Sequence, residues 1–537
     1  MVQLRDSEEA KIRLLEFEVY APDGRIPGSI FRILNASFNA IRAQSPPAAG
    51  LLSLMSFFDR RGIPKWLLRP FKRDNSAKPM KTSHIEAVAD DEIDSALNDD
   101  IEILMNHCLI TSNGTRQMFE MHGLVQLVVK KSLNDSKRAV FEKQFIKRLA
   151  MAFPTSTYSN WGSWGICEEL FAHVQVAADF RPSYGLLKDW QNLLRNGARF
   201  ARLQSRYGTA MHLADKAYNV RERLGVDDME TLTLIALLFM DQGLYDKAEE
   251  LFARILDASK IEYPQRLNDL RNETIMNNLA SIYKVKGKWA AAEEIQNKVE
   301  IARESHLGPN HPRTLTSKAN LASTYKAQGR YFRAQRLQKE VVDGYRDRLG
   351  PDHPLTLISM NNLGSIYRLR GKLLEAQELQ VQAMESLKIK LGPAHPDTLI
   401  SMNCLASTYR ARGLLDEAEV LQEQTLELRK MKLGSDHPNT LASMNNLALT
   451  YSAQGKYLEA AELQSRLVEV CKVKLGPEHP HTLTSLNNIA LIWKALGRDA
   501  DGKWKMDECV EGRIRVLGNH PYTISSKAAA DNWWASG

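Results

Sequence analysis

The sequence predicts an all-α protein, most of which is an α-solenoid, that is, a stack of helical hairpins. Two markers support this fold class, because each recurs with the same step of 42 residues. The first marker is the dipeptide Leu-Gly, which begins at Leu307, Leu349, Leu391, Leu433, Leu475 and Leu517. The second marker is a turn glycine, found at Gly287, Gly329, Gly371, Gly413, Gly455 and Gly497. Two independent markers in one register indicate a tandem repeat of helix pairs.

The composition is that of a globular protein with several domains. The 537 residues have room for three or four domains, and 44% hydrophobic with 25% charged residues is typical of soluble chains. Five single cysteines argue against a disulfide framework and against a cysteine zinc site. The N-terminus is charged and no stretch approaches 18 uncharged apolar residues, so we expect neither secretion nor membrane insertion. These features predict a cytosolic or nuclear protein, and we assign it to the cytoplasm.

The formal net charge of +7 is small for a chain of this length. Eight basic side chains within residues 60–81 are followed directly by eight acidic ones within residues 86–102. These charges largely cancel at a distance, whereas a nucleic-acid-binding protein needs a concentrated basic face. We therefore do not expect nucleic acid to be a partner.

Residues 29–135 show a different pattern, in which helices are followed by a β-hairpin. An amphipathic helix precedes an apolar helix, and the apolar helix is stopped by Gly62 and Pro64. Asn113-Gly114 lies between two β-prone runs and predicts a two-residue hairpin turn. This order predicts a small winged-helix-like α+β domain in front of the solenoid.

One repeat shows how each helical hairpin forms. Pro354 suits the first position of a helix, where its missing N–H costs nothing. Leu363 and Tyr367 place an apolar stripe on this helix, and Gly371 ends it. A second helix then carries small and apolar residues such as Ala383. Two helices cannot bury these faces alone, so neighbouring repeats must stack.

The repeated residues are Leu363, Gly364, Tyr367, Gly371, Ala376 and Ala383, with the blocks LGPDHPLTL, LGPAHPDTL, LGSDHPNTL and LGPEHPHTL. On these residues the array resembles the tetratricopeptide repeat in the long-loop form of kinesin light chains. The resemblance implies a right-handed superhelix of about seven units after a degenerate first one. Trp533 and Trp534 are expected to cover the last apolar face.

In the tetratricopeptide fold the first helix of each repeat lines a concave groove, which the resemblance implies is the binding surface. An asparagine stands two residues before the core leucine at Asn277, Asn361, Asn403, Asn445 and Asn487. Two helical turns later on the same face stand Lys284, Lys326, Arg368, Arg410, Ser452 and Lys494. Amides bond a peptide backbone and cations bond acidic groups, so we predict that the groove binds an extended acidic peptide.

The asparagines have an alternative, structural role, in which they cap loops or pack between repeats. For the second asparagine of each pair we favour that role at Asn278, Asn362, Asn446 and Asn488. For the first asparagine of each pair we favour exposure to the groove.

We predict no catalytic site, no metal site and no cofactor. A histidine recurs once per repeat, at His311, His353, His395, His437, His479 and His520. None has a second metal ligand beside it, and we expect these histidines to mark helix starts. The sequence contains no visible nucleophile–base pair and no phosphate loop of the GxxxxGK[ST] type, so we expect no enzymatic activity.

The predicted hairpin ends in FEMHGLVQLVV, which contains Met121, His122 and Gly123. This segment resembles the MHD-type motif of NB-ARC signalling ATPases, and LLSLMSFFDRRGIP is similar to the region that fungal members carry before their tetratricopeptide repeats. The resemblance implies a nucleotide-phosphate contact for His122. Gly123 replaces the family's aspartate and the phosphate loop is missing, so we interpret His122 as a packed relic. The chain is then a truncated relative, or an incomplete gene model, of such a protein.

The predicted segments are a helical remnant of an upstream module (1–28), a winged-helix-like domain (29–135), a helical connector (136–184) and the repeat array with a C-terminal cap (185–537). We predict a protein–protein interaction scaffold or sensor arm. The alternatives are a fragment of a nucleotide-regulated NB-ARC or STAND signalling ATPase, and a kinesin-light-chain-like cargo adaptor. No adaptor-type heptads precede the array, and no concentrated basic helix supports DNA binding. The residues leave the partner, the pathway and self-association open.

Overall fold

A computed structural model of the chain describes residues 30–69, 90–113, 117–155, 164–225, 228–262, 270–518 and 520–535. The helix predicted within residues 1–28 lies outside the described residues. The described chain is helical almost throughout, and its tandem hairpins confirm the predicted α-solenoid class. It divides into two compact units, residues 1–231 and residues 232–537, so the division falls inside the predicted array.

The first unit contains ten helices and three strands within its described residues. The helices are α1 (Ile30–Gln44), α2 (Pro46–Met55), α3 (Lys65–Leu68), α4 (Asp90–Asn106), α5 (Gly123–Lys131), α6 (Asp135–Ala152), α7 (Trp164–Ala177), α8 (Leu187–Leu203), α9 (Tyr207–Asn219) and α10 (Arg221–Leu224). The strands are β1 (Ile63–Pro64), β2 (Ile110–Ser112) and β3 (Met118–Met121).

The three strands form an antiparallel sheet in the order β1-β3-β2. The hairpin of β2 and β3 is present, but the prediction of a two-residue turn at Asn113-Gly114 was wrong. Ser112 pairs with Phe119, and the Asn113 side chain accepts hydrogen bonds from the N–H groups of Gln117 and Met118. The asparagine therefore closes a longer loop. The assignment of this region to the winged-helix fold stays a prediction.

A cluster of aromatic rings lies in the core of the first unit. Phe58 packs edge-on against Phe145 with 4.8 Å between ring centroids and against His173 with 5.4 Å. The fully buried His173 accepts a hydrogen bond at Nδ1 from the Asp59 N–H (3.0 Å), and its Nε2 lies 3.3 Å from the Gly62 carbonyl. The ring is therefore held neutral between helix α7 and the loop before β1.

The second unit continues from α11 as seven helix pairs and a final helix. The helices are α11 (Met229–Asp241), α12 (Tyr245–Glu262), α13 (Leu270–Val285), α14 (Trp289–Leu307), α15 (Pro312–Ala327), α16 (Tyr331–Leu349), α17 (Pro354–Leu369), α18 (Leu373–Leu391), α19 (Pro396–Arg412), α20 (Leu415–Leu433), α21 (Pro438–Ala453), α22 (Tyr457–Lys474), α23 (Pro480–Ala495), α24 (Asp499–Leu517) and α25 (Pro521–Ala535). In each pair of this unit the odd-numbered helix comes first and the even-numbered helix second.

The hairpins follow the local signals of the sequence. The turn glycine between paired helices takes a positive φ, for example +78° at Gly371. In the α8–α9 hairpin, which belongs to the degenerate first repeat, Ser205 adopts a φ of +58° at the corresponding place. His353 is the N-cap of α17, where its Nδ1 accepts from the Leu355 N–H at 3.2 Å and Pro354 follows at the first helical position. The repeated histidines thus start helices, as predicted.

The core of the second unit is made of small and aliphatic residues. Ala376, Ala383 and Leu363 are each at most 5% exposed and pack between adjacent helices. At the C-terminal end, Trp533 on α25 packs against Met506 and donates from Nε1 to Asp499 at 3.0 Å. The side chain of Trp534 lies outside the described residues.

Candidate functional site

Four cationic side chains stand one per repeat near the ends of successive first helices. These residues, which we call the cation column, are Lys284 on α13, Lys326 on α15, Arg368 on α17 and Arg410 on α19. All four side chains are half-buried. The column occupies the helix positions that the sequence predicts for the groove.

The members of the cation column repel one another. Burial, followed by the charge of Lys326, lowers the pKa of Lys284. Burial also lowers the pKa of Lys326, with Arg368 adding to the effect and the Cys404 thiol opposing it. Burial and then the charge of Arg368 lower the pKa of Arg410. Each cation therefore experiences the next one, so the column is a continuous region of positive potential.

The cation column has few internal partners. The Lys284 ammonium donates to the Ser323 hydroxyl at 3.2 Å, and the Arg410 guanidinium donates to the Asn446 carbonyl at 3.3 Å. Within the part of the chain that the structure describes, no carboxylate forms a salt bridge with any of the four. Half-buried cations without a carboxylate favour binding of an anion from outside.

The predicted cationic ladder is interrupted after Arg410. Ser452 takes the corresponding place on α21 and carries no charge. Lys494 on α23 is exposed, and its ammonium lies 4.7 Å from the centroid of the Trp533 ring. The structure therefore gathers four of the six predicted groove positions into one cationic region.

Two of the predicted groove asparagines hydrogen-bond to the next repeat. Asn445 Oδ1 accepts from Gln464 at 3.2 Å and from Asn488 of the next repeat at 2.8 Å. Asn487 Oδ1 accepts from the Ser526 hydroxyl at 2.6 Å. Both amide oxygens are already occupied by hydrogen bonds within the protein. These two asparagines therefore have the structural role, packing between repeats, that the sequence offered as the alternative to peptide binding.

Asn403 hydrogen-bonds within its own helix pair. With its amide turned so that the oxygen faces the guanidinium, it accepts from Arg429 at 2.8 and 3.1 Å. Arg429 is 4% exposed and also donates to the Asn439 carbonyl and the Ser443 hydroxyl of the next repeat. Burial lowers the pKa of Arg429 to about 10.

The pair Asn361 and Asn362 has the opposite exposure to the one expected. Asn361 is only 4% exposed, whereas Asn362 is exposed to solvent. The buried Oδ1 atoms of Asn361 and Asn277 have no hydrogen-bond partner among the described residues. At this repeat the second asparagine, not the first, is accessible.

Sequence reasoning missed a row of buried glutamines on the second helices. They recur every 42 residues and are each at most 2% exposed, at Gln296, Gln338, Gln380, Gln422 and Gln464. Gln296 accepts from Thr324 and Gln380 from Thr408, both at 2.6 Å, so these amides join a repeat to the next one. Their recurrence was visible in the sequence, but a polar residue on a helix is ordinarily expected at the surface.

His122 lies outside this site, in the first unit. It is exposed and is the N-cap of α5, where its Nδ1 accepts from the Leu124 N–H at 3.2 Å. A Cβ on the neighbouring Gly123 would approach the Arg60 guanidinium to 2.6 Å, and this flexible side chain could move away. The exposure of His122 differs from the packed position that we expected, while its relation to a nucleotide stays a prediction.

Comparison with known proteins identifies the array. The family model described as "Tetratricopeptide repeat" matches residues 271–347, 316–389 and 397–472, and a "Domain of unknown function (DUF7779)" matches residues 39–138. A solved structure of putative kinesin light chain TPR-like repeats from Podosopora anserina is 32% identical; the match covers 97% of that chain and 38% of this one, with a TM-score of 0.33. This chain belongs to the tetratricopeptide-repeat family. Such repeats mediate protein–protein interactions and are generally non-enzymatic scaffolds.

Two further solved structures are similar at lower identity. A STAND protein with a tetratricopeptide repeat sensor from Pyrococcus horikoshii is 14% identical, with 98% of this chain and 69% of that chain covered and a TM-score of 0.47. A Rap protein in complex with competence and sporulation factor is 11% identical, with 71% and 99% covered and a TM-score of 0.47. The comparison with curated proteins found no match. Among the described residues, no helix has both the length and the apolar character that crossing a membrane requires.

Proposed function

We propose that the tetratricopeptide array is a cytoplasmic interaction scaffold or sensor arm that binds an extended acidic segment of a protein partner along the cation column. The observation that carries the proposal is the row of four half-buried cations, Lys284, Lys326, Arg368 and Arg410, without a carboxylate partner among the described residues. An acidic segment supplies the missing counter-charges and relieves the repulsion within the column.

The number of cations suits a modular ligand. One charge-assisted hydrogen bond contributes roughly 1.5–3 kcal/mol net. Three or four such bonds reach the roughly −8 kcal/mol that corresponds to micromolar affinity, whereas a single repeat does not. The ligand must therefore be extended and carry several acidic groups, about one for each repeat.

The positive charge of the site is concentrated in the earlier repeats. The repeats from α13 to α19 supply four cations, whereas the next repeat has the uncharged Ser452 and the bonded amide of Asn445 on this face. The acidic part of the ligand is therefore expected against the earlier repeats, with an uncharged continuation against the repeat of α21 and α22.

The test compares two triple variants with equal loss of charge. The column variant combines three substitutions and removes three of the four cations: Lys326→Ala, Arg368→Ala and Arg410→Ala. The matched control changes the exposed Lys388, Lys390 and Lys432 to alanine at the ends of α18 and α20. Both variants lose three positive charges, so long-range attraction changes equally.

The probe is a fluorescein-labelled decaglutamate peptide, and its affinity is measured by fluorescence anisotropy. We expect the column variant to bind about a hundredfold or more weakly, because several charge-assisted bonds are lost together. The control should stay within about twofold, since exposed charges contribute little. Equal losses in the two variants would show general charge attraction and would contradict the proposal, as would a wild-type protein that does not bind the peptide.

A further inference from the structure

The second unit contacts itself between repeats that are far apart in the chain. His479, the N-cap of α23, lies with Nε2 3.2 Å from the Asp241 carbonyl at the end of α11, across a separation of 238 residues. That separation is between five and six repeats of 42 residues. The array therefore completes one superhelical turn within the second unit, and the next turn touches the first.

The same contact occurs one repeat further along. His520, which precedes α25, lies with its ring centroid 6.0 Å from that of Trp289 at the start of α14. A Cβ on Gly287 would approach the His520 ring to 2.9 Å, so the histidine rests on the turn between α13 and α14. Two adjacent histidine loops thus dock on two adjacent glycine turns.

The geometry of His479 requires a neutral ring. Its Nδ1 accepts from the His481 N–H at 3.2 Å, which leaves Nε2–H to donate to the Asp241 carbonyl. The His481 ring stacks on it with 5.3 Å between centroids. The same side chain therefore caps one helix and bonds the end of another.

Glycine is needed at both turns for two separate reasons. Gly243 and Gly287 have positive φ angles of +74° and +72°, as the turn glycines of other repeats do. In addition, a Cβ on Gly243 would lie 3.0 Å from His479 and 3.1 Å from Pro480. A Cβ on Gly329 or Gly371 would have no atom of the described residues within 4 Å. Gly329 and Gly371 therefore share the positive φ of Gly243 and Gly287 but not the contact with a histidine, so they serve as controls for the backbone strain alone.

We propose that these two histidine–glycine contacts form a clasp that closes the gap between successive turns of the array and limits access of a partner segment to the cation column. The clasp holds residues 241–243 against His479 and residues 287–289 against His520. A ligand then reaches the column from an end of the superhelix or after the clasp opens. The effect on ligand access rests on the function proposed above, whereas the clasp itself does not.

The test opens the clasp by adding two methyl groups. The variant Gly243→Ala with Gly287→Ala introduces clashes at both contacts, and Gly329→Ala with Gly371→Ala introduces the same backbone strain without them. A second pair keeps an N-cap side chain but removes the ring: His479→Asn with His520→Asn, matched by His353→Asn with His311→Asn. Circular dichroism identifies any variant that does not fold.

Small-angle X-ray scattering of the full chain reports the clasp directly. We expect the largest dimension of the Gly243→Ala/Gly287→Ala protein to increase relative to its control, and the His479→Asn/His520→Asn protein to behave in the same way. Scattering profiles that match the controls in both pairs would overturn the clasp.

Stopped-flow mixing with the labelled decaglutamate peptide reports access. We expect the association rate to rise about tenfold when the clasp is opened and to be unchanged in the controls, because a closed conformation slows association. An unchanged rate in an array that scattering shows to be opened would overturn the role in access. If the wild-type protein does not bind the peptide at all, the proposed function fails, and scattering still decides whether the clasp exists.

Discussion

The two units of the molecule bury large aromatic rings to different extents. In the first unit, Phe58, Phe145 and His173 pack ring against ring and are fully buried. In the second unit the recurring buried residues are alanines beside glutamines, such as Ala376 and Gln380. A cluster of a few large rings depends on each of them, whereas a repeated core distributes its stability over many equivalent contacts. A single substitution should therefore be felt most in the first unit.

The largest effect is expected from Phe58→Ala. Phe58 is fully buried, and its removal leaves a cavity against Phe145 and His173. We expect the free energy of unfolding of the first unit to fall by about 3–5 kcal/mol. Hydrogen exchange, followed separately in peptides from each unit, measures this loss. The matched control is Met151→Ala, since Met151 is 67% exposed. Equal protection of the first unit in the two variants would contradict the comparison.

An intermediate effect is expected from acid, in both units. Burial lowers the pKa of His173 to about 4, and burial with the charge of His481 lowers the pKa of His479 to about 4. Between pH 6.5 and 4 the unfolded chain binds a proton that the folded histidine does not. Stability is therefore lost as the pH falls through this range, by on the order of 3 kcal/mol for each histidine.

Urea unfolding at pH 7 and at pH 4.5 checks this dependence. His173→Gln should reduce the loss in the first unit and leave that of the second unit unchanged, whereas His479→Asn should do the reverse. The prediction is contradicted if the stability of the first unit depends on pH as strongly in His173→Gln as in the wild type. Groups other than His173 would then cause the loss of stability in acid.

The smallest effect is expected within the glutamine row of the second unit. Gln380 accepts from Thr408, so Gln380→Leu leaves a buried hydroxyl with a lost partner and should cost about 1–2 kcal/mol. The fully buried Gln422 has no side-chain hydrogen-bond partner among the described residues, so Gln422→Leu should be neutral or stabilising. Urea unfolding of the two leucine variants decides between them. Equal losses in the free energy of unfolding would contradict the prediction, because the two glutamines would then contribute equally to stability.

Much of the fold could be predicted because its signals are local. Pro354 after His353 starts a helix and Gly371 ends it, and each acts through its own backbone or its nearest neighbours. The two-residue turn at Asn113-Gly114 failed because the Asn113 side chain bonds the backbone further along the chain. That choice depends on the register of the sheet.

The candidate site was predicted less completely. The positions of Lys326, Arg368 and Arg410 follow from the repeat, since one register places them on equivalent helix faces. Two other features depend on how neighbouring repeats pack. One is the hydrogen bond between Asn445 and Asn488, and the other is the reversed exposure of Asn361 and Asn362. Identical motifs do not distinguish those environments.

The sequence by itself determined the helix pairs, their period of 42 residues and the one cation per repeat from Lys284 to Arg410, because these depend on backbone preferences and on a register repeated many times. Tertiary structure alone decided which amides join repeats, which cations have no carboxylate partner among the described residues, and that His479 meets Asp241 across 238 residues. The physical reason is that a small rotation between neighbouring repeats accumulates along the array. No single repeat contains the sum of those rotations, so the contact between turns exists only in the assembled superhelix.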